Sequence, residues 1–305
     1  MAIRASVVIP TFRRLDRLRE AVASVASQAR PPEELIVVAA DPDEREAVRA
    51  LLDGIDFAGR AEVVASDRCL LGGGARNLGW RSATGDVVLF LDDDDYWAAD
   101  KVGDHVAAHD SGQSDVVYSG VWYVFPGARD ARPYNATPVA ADMVRGLTLD
   151  GLCPPTTSCV SIRRAALEAV GGFDETLPSY QDWELWYRLA LAGSKFASLP
   201  QPLTYFVQHE GGRVSMNIEG RSRAAGLVLA KHGSSPDLVA FFGKERRQML
   251  ERVIVFSAQR GEWTCLDTFR RALSDKIFSP LEWRPYWIAA KVAGNLALAS
   301  VRRNP

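Results

Sequence analysis

Short apolar runs alternate with amphipathic stretches along the first hundred residues. Each run is rich in Val, Ile and Leu, as in a buried strand, and each stretch repeats its apolar positions every three or four residues, as in a helix. This alternation predicts an α/β fold with a mostly parallel sheet flanked by helices. The predicted strands are Ser6–Ile9, Leu35–Val38, Val63–Ala65 and Val87–Leu91, and the predicted helices are Leu15–Gln28, Glu44–Leu52 and Ala75–Ala83.

From about Asp115 the pattern changes to short strands divided by Gly- and Pro-rich turns, with one helix near Trp183–Ala192. This pattern favours a mixed sheet that forms the second wall of a cleft. Beyond Ile218 the chain is mostly helical in pattern. We therefore predict a first domain of residues 1–217, with halves 1–114 and 115–217, and a helical C-terminal extension of residues 218–305. The later predicted strands are Val116–Tyr118, Val121–Phe125, Ser158–Ile162 and Leu203–Val207.

Composition places the chain among globular proteins. Its 305 residues, 47% of them apolar and 24% charged, can bury a large core. The formal net charge of −2 and the lack of a basic stripe interleaved with aromatic residues argue against nucleic acid as a partner. The four cysteines form no CxxC pair and no zinc-type spacing with histidine, and no secretory leader is recognisable, so we expect a reducing, cytoplasmic location.

The C-terminal part is basic, since residues 244–305 hold 12 Lys and Arg against 6 Asp and Glu. Its last apolar segment, Tyr286–Val301, is interrupted by polar residues and is shorter than the ~20 residues that a membrane-spanning helix needs. Two alternatives remain for this segment. It lies on an anionic membrane surface as a peripheral contact, or it packs against the rest of the protein.

Four acidic residues, Asp92–Asp95, directly follow the strand Val87–Leu91. Such crowding of like charge is costly unless a cation or solvent compensates it, and Mg²⁺ and Mn²⁺ prefer carboxylate and phosphate oxygens. Because alternate side chains of an extended segment share a face, we expect Asp92 and Asp94 to point into one cleft and Asp93 to point away. The alternative is a solvated acidic turn.

A second motif is the glycine run Gly72–Gly74, followed by Arg76 at the start of a predicted helix. Amides at a helix start favour anions, and an arginine can grip phosphate oxygens, so this motif is a candidate phosphate site. It matches neither the dinucleotide-binding pattern nor the P-loop pattern. The alternative is a loop with a surface arginine.

A third group of candidates lies after Gly171. Asp182 stands where a helix is predicted to begin, and it is either an N-cap or a general base that takes the proton of an attacking hydroxyl. Asp174 and Glu184 are the competing bases. His209 follows an apolar strand-like run and is a candidate metal ligand, although a lone histidine is more often structural or solvated.

Taken together in this order, the segments resemble glycosyltransferase family 2, the inverting GT-A enzymes, over about residues 3–215. The resemblance implies a nucleotide-diphospho-sugar transferase fold, with the acid run as the DXD motif. It also implies a Mn²⁺ or Mg²⁺ cofactor, a UDP-, GDP- or dTDP-sugar donor and a saccharide or lipid-linked acceptor. The matching stretches are Ser6–Arg13, Glu34–Val38, Gly74–Gly79, Phe90–Trp97, Gly171–Glu175 and Gln181–Trp186.

The same resemblance implies roles for individual residues. Asp94 would bind the metal, with His209 as a further candidate ligand, Asp92 would contact the ribose and the metal shell, and Asp182 would be the catalytic base. Such enzymes usually carry an Asp pair after the second strand, but here Ala39-Ala40 stand there and Asp41 comes next, which leaves the nucleotide base open. The expected nucleotide-sugar site consists of Pro10, Thr11, Phe12, Arg13, Asp41, Arg76, Asp92 and Asp93.

The predicted activity is therefore transfer of a sugar from a nucleoside-diphosphate donor to an acceptor hydroxyl with inversion, in polysaccharide or glycoconjugate assembly. One alternative is a sugar-1-phosphate nucleotidylyltransferase, which should carry a Gly-rich loop with Arg and Lys after the first strand, and Pro10–Arg13 is not such a loop. The other is a non-catalytic sugar-nucleotide-binding protein, against which the presence of Asp182 argues.

Overall fold

A computed structural model of the chain describes residues 2–128, 130–209 and 217–259. The described residues fall into two units, residues 2–209 and residues 217–259. The segment Tyr286–Val301 and most of the basic C-terminal part lie outside the described residues, and the predicted domain limits stay a prediction. None of the described helices is both long enough and apolar enough to cross a membrane.

Nine strands of the first unit form one sheet in the order β3-β2-β1-β4-β8-β6-β9-β5, with β7 paired to β6. The pairs among β1, β2, β3 and β4 are parallel, as the alternating pattern predicts. The strands are β1 (Ala5–Thr11), β2 (Glu34–Ala39), β3 (Arg60–Ala65), β4 (Val87–Phe90), β5 (Tyr96–Trp97), β6 (Val116–Val124), β7 (Arg132–Tyr134), β8 (Val160–Arg163) and β9 (Phe196–Val207).

The second half of the sheet is mixed, because β8 is antiparallel to both β4 and β6 whereas β9 is parallel to β6. The prediction of a mixed sheet in this half is confirmed, and the two predicted halves share one continuous sheet. Strand β9 begins earlier than predicted and passes through Pro200 and Pro202, where its register against β6 shifts. Prolines at a bulge interrupt the strand pattern that the sequence shows.

Helices cover the sheet and bury their apolar stripes against it. Helix α1 buries Leu18, Ala21, Val22 and Val25, a spacing of three and four residues that keeps one face on the core. The helices of the first unit are α1 (Leu15–Ala26), α2 (Arg45–Asp53), α3 (Gly72–Ser82), α4 (Lys101–Gly112), α5 (Met143–Arg145), α6 (Arg164–Val170) and α7 (Gln181–Leu191). Short 3₁₀ turns at Pro42–Glu44 and Thr157–Cys159 and a π turn at Gly146–Asp150 connect them.

The second unit contains two helices, α8 (Ile218–His232) and α9 (Pro236–Gln259). Asn217 caps α8 by accepting a hydrogen bond from the Gly220 amide at 2.9 Å. An ion pair between Arg221 and Glu245, 2.6 Å apart, joins the two helices. The described part of the extension is therefore helical, as its sequence pattern predicts.

Candidate active site at the carboxyl edge of the sheet

The site is built where β1, β2 and β4 end, because parallel neighbours bring their carboxyl ends to the same edge. Backbone hydrogen bonds hold the chain segments together there: Ala40 donates to the Thr11 carbonyl at 2.9 Å, and Leu70 donates to the Ala40 carbonyl at 2.8 Å. The residues that follow these strands are therefore neighbours in space.

The acid run Asp92–Asp95 forms a tight turn, in which the Asp95 amide donates to the Asp92 carbonyl at 3.1 Å. The run is therefore not the extended segment that the sequence suggested, but its burial still alternates, with Asp92 and Asp94 partly exposed and Asp93 and Asp95 buried. That Asp92 and Asp94 share a face stays a prediction. Each of the four carboxylates contacts other groups of the protein, and Arg14 contacts both Asp93 and Asp94.

Two of these carboxylates are buried. Asp93 accepts from the Thr11 hydroxyl at 2.9 Å and the Phe12 amide at 3.4 Å, and burial together with the Asp94 charge raises its pKa to about 6. Asp95 accepts from the Ser158 hydroxyl at 2.6 Å and the Val207 amide at 3.0 Å, and burial raises its pKa well above the ordinary value. Asp95 thus ties the turn to β9, while Asp93 ties it to the end of β1.

Asp94 lies at the centre of a cationic group. Its Oδ2 oxygen is 2.9 Å from Nη1 of Arg14, 3.7 Å from Nη1 of Arg17 and 3.1 Å from Nε2 of His209. Nη1 of Arg17 is also 2.9 Å from Nε2 of His209. Nε2 of His209 has either a proton to donate to Asp94 or a lone pair to accept from Arg17, so one tautomer satisfies only one of these two contacts. The structure therefore brings together two of the three predicted metal ligands, Asp94 and His209, whereas Asp92 pairs with Arg76.

Arg76, predicted to contact the nucleotide, donates through Nη2 to Asp92. Burial lowers the pKa of Arg76, but the charges of Asp92, Asp182 and Asp93 outweigh it and raise that pKa above its ordinary value. Its guanidinium lies 5.7 Å from the ring centre of Phe173. The buried Nε atom of Arg76 has no hydrogen-bond partner. One fixed cation therefore lies in the field of both the acidic turn and Asp182.

The glycine run before Arg76 packs tightly against a segment of the second half. A Cβ atom on Gly73 would lie 3.3 Å from the Asp174 carbonyl oxygen, and one on Gly74 would lie 3.4 Å from the Glu175 carboxylate. These glycines belong to α3, and Arg76 is largely buried, so the alternative of a loop with a surface arginine is wrong. Close approach of two chain segments accounts for the glycines without a bound anion.

Asn77 fastens the same two segments together. Its amide donates to the Phe173 carbonyl at 2.8 Å and to Glu175 at 2.8 Å, and its carbonyl accepts from the Phe173 amide at 2.8 Å and the Trp80 indole at 2.9 Å. Asn77 is 1% exposed, so these bonds form in a dry environment. It holds the helix that carries Arg76 against the loop that leads to α7.

The structure separates the three competing bases. Glu184 is fully buried and forms a two-point ion pair with Arg188, at 2.8 Å for each contact, while Arg188 also donates to the Val170 and Gly172 carbonyls. Asp174 accepts from the amide and hydroxyl of its neighbour Thr176. Glu184 therefore has a structural role, and Asp174 closes a local turn.

Asp182 lies in the first turn of α7 and accepts from the Trp183 amide at 2.8 Å. It is not the N-cap, because that position belongs to Tyr180, whose φ of 58° lies in the left-handed region. The charge of Asp182, together with those of Asp92 and Asp93, raises the pKa of Arg76.

The remaining nucleotide-site candidates cluster after β1 and β2. Pro10 lies in β1, half-buried, and the Phe12 ring that follows the strand is 44% exposed. Arg13, with a φ of 55°, places its guanidinium 5.2 Å from the centre of the Phe12 ring and donates through Nε to Asp41 at 2.7 Å. This hydrogen bond lowers the pKa of Asp41, which is 2% exposed and also accepts from the Asp43 amide.

Sequence reasoning missed three contributors to the site: Arg14, Arg17 and Asn77. The two arginines carried a signal, since cations in the first turn of a helix oppose its dipole and need another reason to be there. Asn77 lies within the stretch Gly74–Gly79, in which the sequence analysis assigned roles to the glycines and to Arg76 but none to Asn77. Its role depends on a contact 96 residues away along the chain.

Comparison with known proteins agrees with this geometry. The model of the family described as "Glycosyl transferase family 2" matches residues 6–171, more than half of the chain. The amylovoran biosynthesis glycosyltransferase AmsB of Erwinia amylovora is 27% identical over 233 residues, which cover 71% of this chain and 76% of AmsB.

Two solved structures share the fold. S. aureus TarS 1-349, in complex with UDP-GlcNAc, aligns with a TM-score of 0.59 at 20% identity over 96% of this chain and 89% of that chain. The mannosyltransferase PcManGT of Pyrobaculum calidifontis, in complex with GDP-Man and Mn2+, aligns with a TM-score of 0.59 at 17% identity over 99% of this chain and 87% of that chain. These likenesses confirm the predicted GT-A fold.

Membership of the family supports glycosyl transfer over the two alternatives drawn from the sequence, the nucleotidylyltransferase and the non-catalytic binding protein. The chain belongs to glycosyl transferase family 2 and is a transferase that moves a glycosyl group from a nucleotide-sugar donor.

Proposed function

We propose that this enzyme transfers its sugar with inversion to an acceptor hydroxyl, with Asp182 as the general base and a divalent ion at Asp94. The observation that carries the proposal is the position of Arg76, which donates to Asp92 and lies in the field of Asp182. Arg76 thereby interacts with the acidic turn on the donor side and also with Asp182, the carboxylate that would receive the acceptor proton.

The donor side is assembled from residues at the ends of β1, β2 and β4. The exposed ring of Phe12 offers a flat apolar surface for a nucleobase, beside Pro10 and Thr11. Arg13 and Asp41 form a polar pair at its rim. Asp92 is 27% exposed at its side chain and is within reach of a ribose, while Asp93 fixes the end of β1 by accepting from Thr11.

The residues at Asp94 fit a divalent ion. A carboxylate oxygen and an imidazole nitrogen lie 3.1 Å apart, the spacing of two ligands on one ion, and Asp92 is the further candidate ligand. No group of three His, Cys, Asp or Glu residues is gathered around this point in the described part of the chain. Mn²⁺ and Mg²⁺ often take only one or two protein ligands, and phosphate oxygens and water would fill the other positions. The imidazole of His209 favours Mn²⁺ over Mg²⁺. When bound, the ion supplies positive charge to the diphosphate leaving group.

The chain's own residues perform the remaining work. Asp182 accepts the proton from the acceptor hydroxyl as that oxygen attacks the anomeric carbon from the face opposite the diphosphate. Arg76 stabilises the negative charge that develops on the leaving group, and its buried Nε is an unused donor in the same place. Asn77 keeps the helix of Arg76 and the segment before α7 in one arrangement.

The acceptor is proposed to be a saccharide or a lipid-linked saccharide in polysaccharide assembly, which the similarity to AmsB supports. A cytoplasmic place of action is part of the proposal. Contact with the inner face of a membrane through the basic C-terminal part also remains a proposal.

The test measures release of nucleoside diphosphate from UDP-GlcNAc, GDP-mannose and a dTDP-sugar, with Mn²⁺, with Mg²⁺ and with EDTA. Asp182→Asn should reduce turnover of the preferred donor by about 10²- to 10⁴-fold while the thermal shift caused by that donor persists. Asp174→Asn is the matched control, because that carboxylate serves its own local turn. Equal turnover by Asp182→Asn and the wild type would reject Asp182 as the base, and full turnover in EDTA would reject the metal.

A further inference from the structure

Two arginines at the start of α1 face the acidic turn. Arg14 precedes the helix and Arg17 lies in its first turn, and both approach the Oδ2 oxygen of Asp94, at 2.9 Å and 3.7 Å. Arg14 also lies 3.4 Å from Asp93, and Arg17 lies 2.9 Å from His209. Three groups, Arg14, Arg17 and His209, therefore meet around the carboxylate of Asp94.

Helix stability does not account for these arginines. The N-terminus of a helix carries a partial positive charge, so a cation there is unfavourable by a few tenths of a kcal/mol or more. Arg14 occupies the N-cap position and makes no side-chain capping hydrogen bond. Both side chains are about half exposed, 48% for Arg14 and 45% for Arg17, so their guanidinium groups can reach a ligand from solvent.

A divalent ion on Asp94 and His209 would compete with these arginines for the same atoms. The Oδ2 oxygen that would bind the ion accepts from Arg14, and the Nε2 atom of His209 lies 2.9 Å from Nη1 of Arg17. A divalent ion on this oxygen would repel the neighbouring guanidinium groups, so we expect the arginines to shift when the ion binds. Asp93 retains Arg14 nearby through its second oxygen.

We propose that Arg14 and Arg17 are the diphosphate subsite of the donor, and that they exchange Asp94 and His209 for phosphate oxygens when metal and nucleotide bind. This inference rests on the proposed metal and donor site. A diphosphate beside the ion presents several anionic oxygens, and the planar guanidinium group suits such oxygens through paired hydrogen bonds. The charge of Asp94 is balanced by the arginines before the exchange and by the metal ion after it, when the arginines balance the diphosphate instead.

The proposal predicts effects of opposite sign for two ligands. Without Arg14, Mn²⁺ alone should bind about twofold to fivefold more tightly, because an exposed competing ion pair is removed. The nucleoside diphosphate, in saturating Mn²⁺, should bind about tenfold to a hundredfold more weakly, because charge-assisted hydrogen bonds to phosphate are lost. Arg17→Ala should change both affinities in the same directions.

Isothermal titration calorimetry of the full chain with MnCl₂, and then with UDP, GDP and dTDP in MnCl₂, measures both affinities. The variants are Arg14→Ala, Arg17→Ala and the double variant. Arg19→Ala is the matched control, since it removes one positive charge from the exposed side of the same helix without an ion pair to Asp92–Asp95. This control should change neither affinity by more than about twofold.

Opposite shifts in Arg14→Ala with none in Arg19→Ala support the diphosphate subsite. Unchanged nucleotide affinity in the double variant overturns it, and so does a parallel weakening of metal and nucleotide, which a merely structural role would give. Asp94→Ala separates this failure from that of the proposed function. If Asp94→Ala binds Mn²⁺ as the wild type does, the metal site itself is wrong and both proposals fall.

Discussion

Two buried histidines of α4 should make the fold lose stability as the pH falls from 7 to 5. His109 lies 2.8 Å from the Ser114 carbonyl through Nδ1 and 2.8 Å from the Ser161 hydroxyl through Nε2. The carbonyl requires a proton on Nδ1, so Nε2 accepts from Ser161. Ser161 in turn accepts from Nδ1 of His105 at 2.7 Å, which leaves the buried Nε2 of His105 without a hydrogen-bond partner. Both rings are therefore held neutral.

The magnitude follows from the pKa of His109, which burial lowers from 6.5 to about 4. A depressed histidine pKa means that the unfolded chain binds the proton first, so stability decreases as the pH falls from 6.5 towards 4. At pH 5 the lost stability from His109 is about 2 kcal/mol relative to pH 7. Burial, together with the neighbouring Lys101, lowers the pKa of His105 well below its ordinary value, so His105 adds a loss of the same sign.

The assay is urea unfolding at pH 5, 6 and 7, followed by tryptophan fluorescence, for the wild type and His109→Asn. Asparagine keeps an N–H donor for the Ser114 carbonyl but does not titrate. The raised pKa values of Asp93 and Asp95 act in the opposite direction in both proteins, so they cancel in the comparison. Between pH 7 and 5 the wild type should lose about 2 kcal/mol more unfolding free energy than the variant. Equal pH dependence in the two proteins would refute the reasoning.

Two further substitutions test how α7 and its preceding loop are held, by the same unfolding assay at pH 7. Glu184→Ala should destabilise the fold by about 3 to 5 kcal/mol, because it leaves the Arg188 charge without its buried partner, and a loss below about 1 kcal/mol would contradict that burial. Gly172→Ala should cost about 1 to 3 kcal/mol more than Gly171→Ala. Both glycines have positive φ, but only a Cβ on Gly172 would clash with Asn77, at 2.4 Å. Equal losses of unfolding free energy in the two variants would show that this clash has no effect.

The donor side of the fold was predictable because its signals are local. The strands that become β1, β2 and β4 are continuous apolar runs, and a parallel arrangement fixes that their ends meet. The neighbourhood of Thr11, Asp41 and Asp92 follows from that rule alone. The assignment of roles within it came from the family resemblance, and the roles remain proposals.

Helix α4 was not predicted, and its buried face explains why. Lys101, His105 and His109 lie four residues apart on that face, where a pattern search expects apolar residues. Their burial depends on Ser119 and Ser161 from neighbouring strands, which accept or donate the necessary hydrogen bonds. Partners that distant in sequence carry no signal in a single chain.

The geometry of the acidic turn was beyond sequence reasoning for a similar reason. The sequence Asp92–Asp95 is compatible both with an extended continuation of β4 and with a turn. Two tertiary hydrogen bonds favour the turn, one from the Ser158 hydroxyl to Asp95 and one from the Asp92 amide to Ser158. The sequence reasoning also missed the positive charge that Arg14 and Arg17 supply to the acids from the protein itself.

The tight packing of Gly72–Gly74 on the segment from Asp174 to Gln181 has a consequence for enzyme engineering. Chimeras that take the first half from this chain and the second from a relative would replace one side of that interface but not the other. Such hybrids would need the glycines, Asn77 and their partners transplanted as a set. Mutant libraries intended to change the donor or the acceptor are better restricted to exposed positions such as Phe12, because a substitution there does not require a matching change in another chain segment.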